Sequence, residues 1–286
     1  MTHAPFHLWQ PSQQTCNLVF SSPHSGAEYP DAFVSSSQLD PLTLRSSEDA
    51  YIQDLYRSVP NHGAPLIAAR VPRAFVDLNR SEAEIDPALV QDSAVRKQSA
   101  RVVSGLGVIP RVVAEGKVIR RGKMTRQEAQ DRIDQFYRPY HNRLRLLLNE
   151  TRAKFGTAIL IDCHSMPHSA TESMVVKGGR RPDIVLGDRY GAAAPQSFVD
   201  QVEDLFIDQG FSVARNVPFA GAYISQTYGR PSIGQFALQI EIDRAIYLDE
   251  AKVQKNAGYW DVKARIDRVI AGLCDANWQD FGIAAE

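Results

Sequence analysis

Three runs of apolar residues in this chain carry no polar alternation, and each stops abruptly at residues able to do chemistry. The first, Ala158–Ser165, reads Ala-Ile-Leu-Ile-Asp-Cys-His-Ser. An apolar run of that length is the pattern of a strand buried on both faces, as in a parallel sheet covered by helices. The second, Asn17–Ser22, is followed at once by Pro23, His24, Ser25 and Gly26. The third, Phe236–Ile242, delivers Glu241 and then Asp243 and Arg244. Ligands of such sheets bind beyond the carboxyl ends of the strands. If the three strands lie side by side, His24, His164 and Glu241 meet on one edge.

The remaining pattern alternates between helix and strand. Ile52, Leu55, Tyr56 and Val59 recur at helical spacing, which predicts a helix within Pro41–Val59. Ser46 or Ser47 would cap it, with Glu48 and Asp49 in its first turn. Two short strands follow, Leu66–Ala69 and Ala74–Leu78, the second running into Asn79 and Arg80. Residues 81–124 are rich in charge and glycine. They read as an insertion lining the site, with a hairpin pairing Arg111–Val113 and Lys117–Ile119. Thr125 and Glu128 form a capping box for a helix over 125–154, which Pro139 should kink and in which His141 reads as structural. Beyond the central strand come a strand at Asp183–Leu186, a helix at Pro195–Gln209 ended by Gly210, and a strand at Phe211–Ala214. Asn216–Pro231 reads as an ordered loop, and a helical region runs from Asp249 to about Asn277. The alternation implies an α/β fold with a mixed, mainly parallel central sheet flanked by helices. No repeat, low-complexity tract or linker divides residues 1–286, which read as one domain.

Composition narrows the classes of function. A net charge of −1 gives no reason to expect nucleic acid or an anionic membrane as partner. The basic run Arg120-Arg121-Gly122-Lys123 reads as a solvated loop. Cys16, Cys163 and Cys274 are far apart and form no CxxC pair, so neither a disulfide framework nor a cysteine zinc cluster is expected. No stretch of about 18 apolar residues is present. The N-terminus lacks a basic segment followed by a long apolar one. A reduced cytoplasmic protein is expected.

Two histidines and a carboxylate make a common catalytic zinc set with a fourth position left for water. A separate carboxylate would then move the proton of that water, and Glu241 suits the role. Asp162 shares a strand face with His164 and could orient it. Glu48 and Asp49 complement the helix dipole in one reading; in another, one of them is a metal ligand. Arg80, just past a strand end, could fork onto a carboxylate. GxSxG, P-loop and GxGxxG motifs are all absent.

Taken in order, Ser22-Pro23-His24-Ser25-Gly26, Asp77-Leu78-Asn79-Arg80, Asp162-Cys163-His164-Ser165-Met166, Leu186-Gly187-Asp188, Gly221-Ala222-Tyr223 and Glu241-Ile242-Asp243-Arg244 resemble the N-formylglutamate amidohydrolase family. The resemblance spans about residues 16–250. It implies a fold similar to zinc carboxypeptidases (phosphorylase/hydrolase-like), one zinc ion, and hydrolysis of N-formyl-L-glutamate to glutamate and formate in histidine degradation. Carried over by motif, His24 and His164 bind the metal and Glu241 is the general base. The carboxypeptidase pattern keeps its carboxylate ligand three residues after the first histidine, where this chain has Ala27. Asp49, ahead of the Ile52–Leu55 pattern, resembles the family's acidic position and is taken as the third ligand over Glu48. Arg80, Ser165, Tyr223 and Arg244 are expected to contact substrate. Relatives act on other N-formyl or N-acyl amino acids. A zinc N-acyl-amino-acid deacylase, a carboxypeptidase-type hydrolase and a non-catalytic binding protein of the same fold are the alternatives.

Overall fold

The three apolar runs become three adjacent strands. A computed structural model describes residues 4–93, 98–175, 179–276 and 278. Strands β1 (Phe6–Trp9), β2 (Leu18–Ser22), β3 (Leu66–Ala69), β4 (Ala158–Met166), β5 (Ile184–Gly187), β6 (Val213–Arg215) and β7 (Gln235–Asp243) form one sheet in the order β1-β3-β2-β4-β7-β5-β6. β2 pairs parallel with β4, β4 with β7, and β5 with β6; β5 runs antiparallel to β7. The sheet is thus mixed and mainly parallel, and helices flank it. Every residue of β4 and β7 is buried, which is why neither strand alternates. The chain is an α/β protein. Among the described residues, no helix is long and apolar enough to cross a membrane.

The chain divides into two compact units. One is built from Pro23–Ala50 and Ala68–Arg143 with the N-terminal residues up to His7. The other comprises Leu8–Ser22, Tyr51–Ile67 and residues 144 onward, and it contains β2, β4, β5, β6 and β7. In that second unit the helix Tyr259–Asp275 buries Val262, Ile266, Val269, Ile270 and Leu273, the helical-period stripe of its sequence.

Several elements differ from the sequence pattern, each for a local reason. Pro41–Val59 is not one helix. Pro41–Leu44 is a single turn capped by the Asp40 carboxylate, and Ile52–Leu55 is another. Between them the amide of Asp49 donates to the carbonyl of His24, and Tyr51 takes a left-handed conformation (φ 63°). A tertiary hydrogen bond has displaced a helical one. Ala74–Leu78 is not a strand. The amides of Phe75 and Val76 both turn back to the Pro72 carbonyl, and Asp77 closes an Asx turn onto the amide of Asn79.

The 125–154 helix is capped by Thr125, whose Oγ1 accepts from the amide of Glu128. It widens into a π turn at Ile133–Tyr137, just before Pro139, whose missing N–H makes a regular turn unattainable there. The hairpin near residue 115 is a single antiparallel bridge, Val112 to Val118. The loop 216–231 contains a short helix, Tyr223–Tyr228. The last helix begins only at Tyr259, because Leu248–Asp249 and Gln254–Lys255 first pair as a small antiparallel ladder. Its expected end near Asn277 lies outside the described residues.

Candidate active site

In the second unit, the two-residue period of a strand puts Asp162 and His164 on one face of β4. Gln239 and Glu241 share a face of β7 by the same rule. The parallel register sets Asp162 beside Gln239 and His164 beside Glu241, with Ser21 of β2 beside Asp162. These side chains form a buried polar row. His164 Nε2 meets Asp162 Oδ2 at 2.9 Å, and Asp162 Oδ1 accepts from the Ser21 hydroxyl at 3.1 Å. Gln239 Nε2 donates to Glu241 Oε1 at 2.9 Å, while Gln239 Oε1 accepts from the amide of Ala222 at 3.2 Å. That last bond tethers the start of the Tyr223–Tyr228 helix to β7; Tyr223 itself is half-buried. One residue past His164, the Ser165 hydroxyl accepts from Arg244 Nε at 3.1 Å, with both residues buried. Of the expected substrate contacts, Ser165 and Arg244 are therefore bonded to each other.

The first unit is held by charge. His24 stands two residues beyond the end of β2. Its loop packs so tightly that a Cβ on Gly26 would lie 2.1 Å from the Val71 carbonyl oxygen, and only glycine fits. His24 Nε2 meets Asp77 Oδ1 at 2.7 Å. The other oxygen of Asp77 accepts from Arg73 at 2.8 Å and lies 4.0 Å from Arg80. Burial by itself would raise the Asp77 pKa, but Arg73, His24 and Arg80 outweigh it and hold the carboxyl well below its usual range. Arg80 donates to the carbonyls of Leu106 and Asn79, so the 81–124 segment supplies one of its supports. Burial lowers the pKa of its guanidinium.

The two adjacent acids have different surroundings. Glu48 receives Arg45 bidentately, at 3.0 Å on each oxygen, and the Tyr29 hydroxyl at 2.5 Å. Asp49 faces His24, its Oδ2 lying 3.5 Å from Nδ1. That is too long for a hydrogen bond. It is close to the separation of about 3.3 Å between two donors that share a tetrahedral ion, each about 2.0–2.1 Å from it.

His24 and Asp49 of the first unit are buried, and so is His164 of the second. Both histidines have Nε2 against a carboxylate, which fixes the proton there and makes Nδ1 the acceptor nitrogen. Two imidazoles, each backed by an aspartate, and a carboxylate are the donor types that suit a divalent metal. Sequence reasoning quoted Asp77 within a motif but gave it no role. Its partnership with His24, 53 residues away, leaves no periodic signal. Gln239 shares the face of Glu241 by the strand period, yet nothing in the pattern assigned it the task of holding that carboxylate.

Fold and side chains together describe an α/β protein in which two buried histidines each rest on a buried aspartate. Residues 16–248 match the family profile described as N-formylglutamate amidohydrolase, and the chain belongs to that family. The N-formylglutamate deformylase of Pseudomonas putida is 28% identical over 242 residues, which cover 82% of this chain and 83% of that one. The enzyme of the same name from Pseudomonas aeruginosa is 28% identical over 240 residues, 82% of each chain. The crystal structure of N-formylglutamate amidohydrolase from Ralstonia eutropha JMP134 superimposes with a TM-score of 0.88 at 34% identity, covering 96% of this chain and 98% of that one. The Agrobacterium tumefaciens gene product Atu2144 shares the fold at 15% identity, with a TM-score of 0.62 over 95% of each chain.

Proposed function

We propose that this protein hydrolyses N-formyl-L-glutamate to glutamate and formate, as a zinc-dependent step of histidine degradation. The observation that carries the reading is that buried His24 and His164 each rest on an aspartate, with Asp49 beside His24; Glu241 lies next to His164 in register. The named relatives support the choice of substrate. A divalent ion held by those three residues would polarise the formyl carbonyl and acidify a water near it.

The protein's own groups do the rest. Asp77 and Asp162 keep the two imidazoles in the ligating tautomer. Glu241 accepts a proton from the attacking water and returns it to the amide nitrogen as the C–N bond breaks. Formate and the amino group of glutamate result, with no other reactant needed. Gln239 holds Glu241 in place through one oxygen. Arg80 and Arg244, with Ser165 and Tyr223, are read as the contacts for the substrate's carboxylates. The three cysteines are free thiols, as suits a reducing cytoplasm, and the proposal treats residues 1–286 as one functional domain.

The test is formate release from N-formyl-L-glutamate, with and without a chelator, set beside N-acetyl- and N-succinyl-glutamate. Chelation should abolish turnover and added zinc should restore it. Faster release from the larger acyl groups would make the protein a general N-acyl-amino-acid deacylase. No turnover of any of the three with zinc bound would make it a binding protein.

A further inference from the structure

His168 lies four residues beyond His164 and has no role in the chemistry above, yet both of its ring nitrogens are engaged. Nδ1 meets Asp243 Oδ2 at 2.7 Å, and Nε2 meets Arg181 Nη1 at 2.7 Å. Arg181 also donates to the His168 carbonyl at 2.8 Å, and the His168 amide donates to Glu250 at 3.0 Å. A guanidinium nitrogen can only donate, so Nε2 must accept. The single ring proton then sits on Nδ1 and is donated to Asp243.

Asp243 is buried and is the last residue of β7, paired in register with Met166 at the end of β4. Its other oxygen accepts from the amide of Ala245 at 2.9 Å. That bond caps the turn Arg244–Ile246. Arg244 thus leaves a turn set by Asp243, and its Nε reaches Ser165. The tails of β4 and β7 are tied twice, through Ser165–Arg244 and His168–Asp243.

We propose that His168 is a positioning residue for substrate binding. Its Nδ1–H holds Asp243, and Asp243 fixes the turn that aims Arg244 at a substrate carboxylate. The inference rests on reading Arg244 as a substrate contact. A carboxylate remote from the scissile amide is held equally in ground and transition states, so loss of aim raises KM and spares kcat.

The test uses the full-length, zinc-loaded protein and N-formyl-L-glutamate. Asparagine can return an N–H near the position of Nδ1, whereas glutamine reaches only the position of Nε2. His168→Leu and His168→Gln should raise KM about tenfold, the order of one charge-assisted hydrogen bond, with kcat kept within about threefold. His168→Asn should stay within about threefold of the parent in both constants. Arg244→Lys should raise KM as well, and adding His168→Leu to it should raise KM little further, because both changes act on one contact. Should His168→Leu fold poorly, the asparagine and glutamine pair carries the comparison. Equal KM for that pair, or a fall in kcat with KM unchanged, overturns the proposal. If Arg244→Lys raises KM and His168→Gln does not, the clamp fails while the substrate contact stands. If Arg244→Lys leaves KM unchanged, the substrate contact fails and the clamp with it.

Discussion

His24 and His164 each rest an imidazole on a buried aspartate, but the two supports arise differently. Asp162 is two residues from His164 on one strand, and its other oxygen meets a serine hydroxyl. The strand period and the sheet register suffice to make that arrangement. Asp77 is 53 residues from His24, in an Asx turn, flanked by two guanidiniums. No strand aligns it; close backbone packing at Gly26 and ion pairing do. A histidine on a strand is placed by the hydrophobic core. A histidine on a loop is placed by polar contacts. The His24 side should therefore respond to charge removal and to pH through Asp77 and its guanidinium partners.

The comparison should vanish when the proposed ligands themselves are removed. His24→Ala, His164→Ala and Asp49→Ala should each weaken zinc binding by about a hundredfold or more and abolish nearly all turnover, since a site with three protein ligands cannot spare one. Metal analysis after dialysis, run beside the formate assay, checks this. Full zinc occupancy in any of the three would remove that residue from the site.

Glu241→Gln separates chemistry from support. Glutamine keeps the shape and can still meet Gln239, but it cannot take a proton. Zinc content and fold should be retained while kcat falls at least about a hundredfold. A structural anion would behave in the opposite way, with early melting and near-normal kcat in the folded fraction, because its cationic partner would be left buried.

The same contrast explains what the sequence disclosed. β2, β4 and β7 were legible because burial on both faces erases polar alternation, and Asp162, His164 and Glu241 followed from the two-residue period. The antiparallel β5 was legible as a strand, but its direction was not, since direction leaves no mark on an apolar run. Around His24 the reading was poorer. The helical spacing of Ile52, Leu55, Tyr56 and Val59 is real, yet the amide of Asp49 bonds to the His24 carbonyl and the helix never forms as one piece. Ala74–Leu78 looks like a strand by composition but is turned by Pro72 and Asp77. Where contacts distant in sequence set the backbone, local pattern has no access to them.

Asp77→Asn and Asp162→Asn put the comparison to a direct test. Both remove the carboxylate behind a ligand histidine, and each should lower activity by about 10- to 100-fold. Asp77→Asn should also change the pH dependence of unfolding. The native Asp77 carboxyl is held well below its usual range, against its burial, by Arg73, His24 and Arg80. A group whose native pKa is depressed stabilises the fold above its unfolded value, about 3.9 for aspartate, and that stabilisation is lost as pH falls towards the native value. Urea unfolding followed from pH 7 downward should show a shallower acid limb in Asp77→Asn than in the parent. Identical limbs would mean that the ion pairs of the loop do not hold it.

The smallest effect on activity is expected at Glu48, next to a proposed ligand and buried as deeply. Its two oxygens are occupied by the Arg45 fork and the Tyr29 hydroxyl, none of which belongs to the metal group. Glu48→Gln breaks the fork but leaves Arg45 able to turn to water, because a third of that side chain is already exposed. The penalty should therefore be that of a lost charge-assisted hydrogen bond, about 1.5–3 kcal/mol. It should not reach the larger cost of a stranded buried ion. Zinc occupancy should be unchanged and kcat/KM should stay within about twofold of the parent. Denaturant midpoints and formate release on the same preparations measure both quantities. A Glu48→Gln variant that loses zinc as Asp49→Ala does would transfer the third ligand to Glu48. It would also show that the loop beside His24 can present either acid.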